Sequence, residues 1–190
     1  MILGLFLGLF GAISKTSGPK WLGAIFSVYV EIIRNTPFLV QIYIIYFVLP
    51  SFGLRLSPNV AALIALVVNV GAYATEIIRA GILSINRGQI EAGAALGLSQ
   101  GQIIRHVITK PALCAVYPAL TSQFIYLMLN TSVVSVISAN DLSEVANSIQ
   151  SETFAAFEVY LVVTGIYLVL SLGLAWMFQI LGRYAFAYQR

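Results

Sequence analysis

Charge is what this chain of 190 residues has least of: 9% of its residues are Asp, Glu, Lys or Arg, against 59% hydrophobic. A soluble domain carries about 25% charged residues, so this chain cannot face water on every side. A single cysteine, Cys114, excludes an internal disulfide, and its apolar setting favours packing over redox chemistry. The single His106 has no second His, and the lone Cys114 does not complete a metal site with it. No Gly-x-x-x-x-Gly-Lys-Ser/Thr run occurs, so the chain lacks the phosphate cradle needed to hydrolyse ATP by that route. Nothing suggests a serine-nucleophile elbow or any other catalytic cluster. Met1 opens directly into an apolar run, without the basic segment that begins a cleavable signal.

What fills the chain instead is five apolar runs: Met1–Ile13, Trp21–Pro50, Val60–Leu83, Ala112–Ile137 and Phe154–Leu181. A helix needs about 20 apolar residues to cross a bilayer, and backbone groups in lipid must be satisfied internally. The runs do not alternate strictly, which selects helices. An all-α polytopic membrane protein of about five transmembrane helices is expected, as one domain over residues 1–190. The first run reaches only roughly 20 Å at about 1.5 Å per residue. It is expected to be a helix whose start is truncated, or one that enters a single leaflet. The second is interrupted by Glu31, Arg34, Asn35 and Pro37, so its start should lie at the interface and its spanning part run through Ile44.

Five crossings place Lys15, Lys20, Arg34, Arg79, Arg87, Arg105, Lys110, Arg183 and Arg190 on or near one face, and only Arg55 in a loop on the other. Lys and Arg mark the cytoplasmic side. The N-terminus is therefore expected outside and the C-terminus in the cytoplasm, with Asp141, Glu144 and Glu152 in an outer loop. This distribution accounts for the net charge of +3, so membrane lipid rather than nucleic acid is the expected surrounding.

One polar island interrupts the apolar pattern, at about residues 86–111. Its centre is Glu91-Ala92-Gly93-Ala94-Ala95-Leu96-Gly97-Leu98-Ser99, flanked by Arg87, Arg105, His106 and Lys110 and closed by Pro111. A loop that only joined two membrane helices would need no short helix of its own. One with a small-residue face and a glycine end reads as a docking element. Within the helices, Glu31 and Arg34, and again Glu76 and Arg79, stand three apart, close enough for each Glu to offset its Arg. Local neutralisation is one reading of these pairs and a gate is the other, with a break expected at Pro37. Gln41, Asn69, Tyr73, Gln123, Asn130, Thr131, Ser132 and Ser135 are polar where a bundle interior belongs. Such groups hydrogen-bond between helices or line a pathway. The Asn130–Ser135 run, in the outer half of its helix, is best placed to meet a solute arriving from outside.

The Glu91–Ser99 segment resembles the cytoplasmic "EAA" loop of bacterial ABC-importer permeases. Gly93 stands at the motif's second Ala, and Pro111 lies one residue further out than the commonest spacing. Arg34-Asn35-Thr36-Pro37-Phe38-Leu39-Val40-Gln41 resembles the R-x-T-P-x-L-x-Q signature of permeases for polar amino acids. Gly71–Ile82, Asn130–Ile137 and Phe157–Tyr160 resemble further segments of the same histidine/glutamine/arginine-type subfamily. The resemblance implies a type I importer permease fold in the bacterial inner membrane. It implies ATPase coupling through Glu91, Ala92, Gly93, Ala94, Ala95, Gly97, Leu98 and Ser99, with gating near Pro37 and Glu76. It also implies a second permease copy or paralogue, an extracytoplasmic solute-binding protein, and a pair of ABC ATPase subunits that bind ATP and Mg. An ion-coupled carrier or channel without an ATPase is the rival reading, and it leaves the polar island without a purpose.

Overall fold

The computed structural model describes residues 1–186, so Arg190 lies outside the described residues. All regular elements described are helical: α1 (Ile2–Thr16), α2 (Lys20–Arg34), α3 (Phe38–Phe52), α4 (Pro58–Leu83), α5 (Arg87–Ala95), α6 (Gln100–Ile137), α7 (Leu142–Thr153) and α8 (Ala156–Ala185). Two of them change pitch. α3 passes through a π turn at Ile44–Val48 and ends in a 3-10 turn, and α6 begins with π geometry at Ile103–Ile108 and ends in 3-10 geometry from Thr131 to Ile137.

By length and apolar composition, α4, α6 and α8 can each cross a membrane, and α2 with α3 supplies a fourth crossing if the bent pair is one span. The fifth expected crossing, α1, is apolar but only 15 residues long. The second apolar run does not continue straight: α3 leaves α2 at 110°. Pro37 has no N–H to continue a helix, and Asn35 closes α2 by bonding Glu31 O through its backbone N–H at 3.2 Å and its side-chain amide at 2.8 Å. α3 then runs past Ile44 to Phe52, where Gly53 turns into the left-handed region at φ +85°.

Small residues set the packing. Gly4, Gly8 and Gly11 of α1 lie on Val70, Ala74 and Thr75 of α4, and a Cβ added at Gly8 would collide with the Cβ of Ala74. Close backbone approach of this kind substitutes for the hydrophobic drive that lipid removes. A second centre forms where Ile42 of α3 and Ala61 and Ala65 of α4 meet Val134 and Ile137 at the end of α6. α2 is tied across α4 by the Tyr29 hydroxyl, which donates to Val68 O at 2.5 Å.

α8 contrasts with these, because none of its residues is buried. It touches α6 along one seam, where the Tyr117 hydroxyl donates to Phe178 O at 2.7 Å and Gly182 lies against the Tyr117 ring. In its first half, Tyr167 reaches Asp141 and Ser143 at the start of α7. Val169 and Trp176 remain 70% and 67% exposed, as suits a helix that faces lipid or another chain.

Candidate functional site

The polar island folds as an elbow. Asn86 caps α5 by accepting the Gly88 N–H at 2.8 Å. The helix ends in a Schellman turn: the Leu98 N–H donates to Gly93 O at 3.1 Å and the Gly97 N–H to Ala94 O at 2.9 Å. That turn needs a left-handed residue, and Gly97 supplies it at φ +78° with nothing within 4 Å of where a Cβ would go. Conformation rather than crowding therefore demands glycine here. Ser99 at once opens α6 through a capping box with Gln102, with bonds of 2.8 and 3.4 Å.

The loop expected to close at Pro111 thus closes at Ser99, and α6 runs past the proline. The wider π turn just before Pro111 accommodates it, with the Thr109 hydroxyl donating five residues back to Ile104 O. Residues Gly97–Gly101 do spell Gly-x-Ser-x-Gly, against the expectation of no such elbow. Ser99 is nevertheless a helix cap in an exposed turn with no strand before it, so it is not a nucleophile elbow.

The elbow's outer surface differs in two residues from the expected docking set. Gly93 is buried, with Ile103 and Val107 3.4 Å from where a Cβ would stand, whereas Glu91, Ala92, Ala94 and Ala95 are exposed. Leu96, absent from the expected set, is 81% exposed at the tip. An apolar side chain directly before a helix-ending glycine is the signal that could have found it.

The two Glu–Arg pairs part company. Glu76 is held by Lys15 of α1 on one oxygen and by Arg79 on the other, through Nη2 at 2.8 Å and Nε at 3.0 Å. Glu31 instead accepts from Asn35 Nδ2 at 2.9 Å, and Arg34 lies over the Tyr73 ring, 5.5 Å from its centre. The expected Glu31–Arg34 neutralisation does not form, because the helix ends at Arg34 and the cap competes for the carboxylate.

The polar set divides as well. Gln41 Nε2 donates towards Ile33 O, Thr36 O and Thr36 Oγ1 at 2.8, 3.1 and 2.9 Å, while its Oε1 accepts from Asn69 Nδ2 at 3.0 Å. Gln41 and Asn69 are both buried. They staple the bend: Gln41 takes carbonyls left free where α2 ends, and Asn69 fixes it to α4. Asn130, Thr131, Ser132 and Ser135 each donate to a carbonyl of their own helix, three or four residues back, at 2.7–3.0 Å. That leaves their acceptor lone pairs on a half-buried face. Gln123 is distinct: its Nε2 is buried without a partner. Among the described residues, no hydrogen bond joins Gln123 or the Asn130–Ser135 run to the Gln41–Asn69 staple.

An elbow of capped helices beside a bundle of membrane-length helices has a counterpart among known proteins. Residues 4–185 match the binding-protein-dependent transport system inner membrane component family. The chain belongs to that family. The permease is 38% identical over 182 residues to the glutamine transport system permease protein GlnP of Escherichia coli strain K12, covering 95% of this chain and 83% of that protein. It is 43% identical over 148 residues to the L-cystine transport system permease protein TcyB of Bacillus subtilis strain 168, covering 78% and 63% respectively. A crystal structure of an amino acid ABC transporter with histidines superposes with a TM-score of 0.89 at 38% identity, over 96% of this chain and 86% of that one. The MetNI methionine ABC transporter in an inward-facing form, at 21% identity, shares the fold with a TM-score of 0.79 over 97% of this chain and 88% of that one. The permease is thus a multi-pass inner membrane transport subunit of the type I importer fold.

Proposed function

We propose that this permease carries polar amino acids inward, and that the Arg87–Ser99 elbow receives the stroke of a separate ATPase. The observation that carries the reading is the family match itself, which runs through the elbow, the ion cluster and the polar helix faces. Relatives named for glutamine and cystine transport support an amino acid cargo. An ion-coupled carrier would have no use for a rigid exposed elbow with Leu96 at its tip.

In this reading the elbow faces the cytoplasm and the N-terminus faces out, as the positive residues ask. A second permease, identical or paralogous, covers the open face of α8, and a solute-binding protein delivers cargo to the outer side. The paired ATPase subunits bind ATP and Mg and press on Ala92, Ala94, Ala95 and Leu96. Gly93 and Gly97 hold the shape that is pressed, with Glu91, Leu98 and Ser99 completing the elbow. The bend at Pro37 and the Glu76 cluster are where the bundle changes access. Gln123 and the Asn130–Ser135 face are the groups offered to cargo.

Uptake in proteoliposomes containing the assembled importer tests this. Gly97→Val should lower ATP-driven uptake at least tenfold at unchanged membrane abundance, while Gly97→Asn, which tolerates the left-handed region, should keep most of it. Equal uptake by both variants and the parent would overturn the coupling role. A cysteine replacing Asn147, exposed on α7, should react with an impermeant reagent from outside intact cells. Labelling only after permeabilisation would reverse the orientation.

A further inference from the structure

A cavity of about 480 Å³ opens where the end of α2 meets the last turns of α4 and the early apolar turns of α6. Its walls include Ala80, Gly81, Ala115 and Ala119, all small, together with Arg34 and Glu76. It is an open groove rather than an enclosed chamber, and Arg34 in its wall is exposed. The two charged groups differ in what they have left to offer. Glu76 already serves Lys15 and Arg79. Arg34 donates no hydrogen bond to, and has no carboxylate within 4 Å among, the described residues, and Glu31 turns to Asn35 instead. Tyr73 supports its guanidinium 5.5 Å from the ring centre, and a ring face leaves the N–H edge free to donate.

The unspent charge of this cavity is therefore positive and presented as a planar fork, the geometry that matches a carboxylate. We infer that Arg34 binds the α-carboxylate of an amino acid in this cavity, at the end of the bundle that carries the elbow. The inference rests on the amino acid reading above, and adds a site on the exit side, away from the Asn130–Ser135 face. The bend at Pro37 gives it a means of release: Arg34 sits at the very end of α2, so a change of bend that shifts the end of α2 against α4 carries the guanidinium with it.

The test uses the assembled importer in detergent, without binding protein or ATP, and equilibrium binding of L-glutamine, L-arginine and L-histidine alongside their methyl esters. The free acid of whichever amino acid is taken up in proteoliposomes should bind saturably, at least tenfold more tightly than its ester. Arg34→Gln should bring the acid down to the level of the ester without changing the ester, and Arg34→Lys should fall between. Co-elution of the ATPase in size-exclusion chromatography verifies that the variants assemble. Equal binding of acid and ester, or undiminished binding by Arg34→Gln, would overturn the site. So would binding lost on adding phosphatidylglycerol to the micelle but indifferent to amino acid, which would assign Arg34 to a lipid phosphate. Uptake that persists with no Arg34-dependent binding removes this inference alone, whereas uptake of none of the three amino acids removes the reading beneath it.

Discussion

Glu-Ile-Ile-Arg occurs twice in this chain, near the ends of α2 and α4, and the two copies become different electrostatic units. In α4 the helix continues beyond Arg79 to Leu83, so the two side chains stay in register, and the Glu76 side chain is only 17% exposed. With little water to compete, its carboxylate gathers both Arg79 and Lys15. In α2 the helix stops at Arg34, Glu31 is exposed, and the next residue brings an amide donor of its own. An exposed pair at this spacing gives about 0.2–0.5 kcal/mol. One of the two Asn35 amide bonds reaches the Glu31 carboxylate, the other ending on its backbone carbonyl, and at about 0.5–1.5 kcal/mol it is at least as strong as that pair. Spacing permits an ion pair; the solvent and the neighbours decide whether it forms.

Substitutions can break this contrast, the most damaging first. Glu76→Gln should leave Lys15 and Arg79 as half-buried cations without a carboxylate and destabilise the permease by about 2 kcal/mol, between fully buried and exposed pairs. The thermal midpoint of the purified permease should fall accordingly, and an unchanged midpoint would show that α1 does not depend on Lys15. Gln41→Leu should cost about 1–2 kcal/mol by stripping the staple from the bend and leaving Asn69 without its partner. The same midpoint reads it, and Gln41→Glu is the control that keeps the acceptor. The smallest effect is the most diagnostic. A double-mutant cycle on Glu31 and Arg34 should give coupling near zero, rising to about 0.3 kcal/mol once Asn35→Ala removes the competing amide. The same cycle on Glu76 and Arg79 should exceed both; coupling at Glu31 as large as at Glu76 would contradict the explanation.

The spans, the break at Pro37 and the polar elbow were legible because each rests on local chemistry: apolar length, a missing donor, a glycine after small residues. Direction was not. Pro37 announces an interruption, but the direction of the 110° turn goes with a contact between two helices, Gln41 of α3 with Asn69 of α4. The elbow was legible as a segment and not as a surface, since only packing against Ile103 and Val107 shows that Gly93 points inward. Gln41 and Asn69, grouped by polarity with the candidate pathway residues, bond each other and, through Gln41, the carbonyls at the bend. Polarity inside a bundle says that a partner exists, without saying whether it is cargo or backbone. The passage through Pro111 escaped for a related reason: the π turn that accommodates it has no composition of its own.

The glycine stripe of α1 also bears on how the protein is made. Gly4 and Gly8 lie on Val70 and Ala74, and Gly11 on Thr75 as well as on Phe26 of α2, so most of the stripe's complement is synthesised much later. When α1 leaves the ribosome its partner does not yet exist, and α2 and α3 must be placed before α4 arrives. The helix must therefore wait in the membrane with its small-residue face uncovered, exposed to chaperones, to quality-control proteases and to other nascent helices with similar faces. Substitutions along that stripe should accordingly show first as shortened lifetime of newly made chains, before any defect in the finished transporter can be seen.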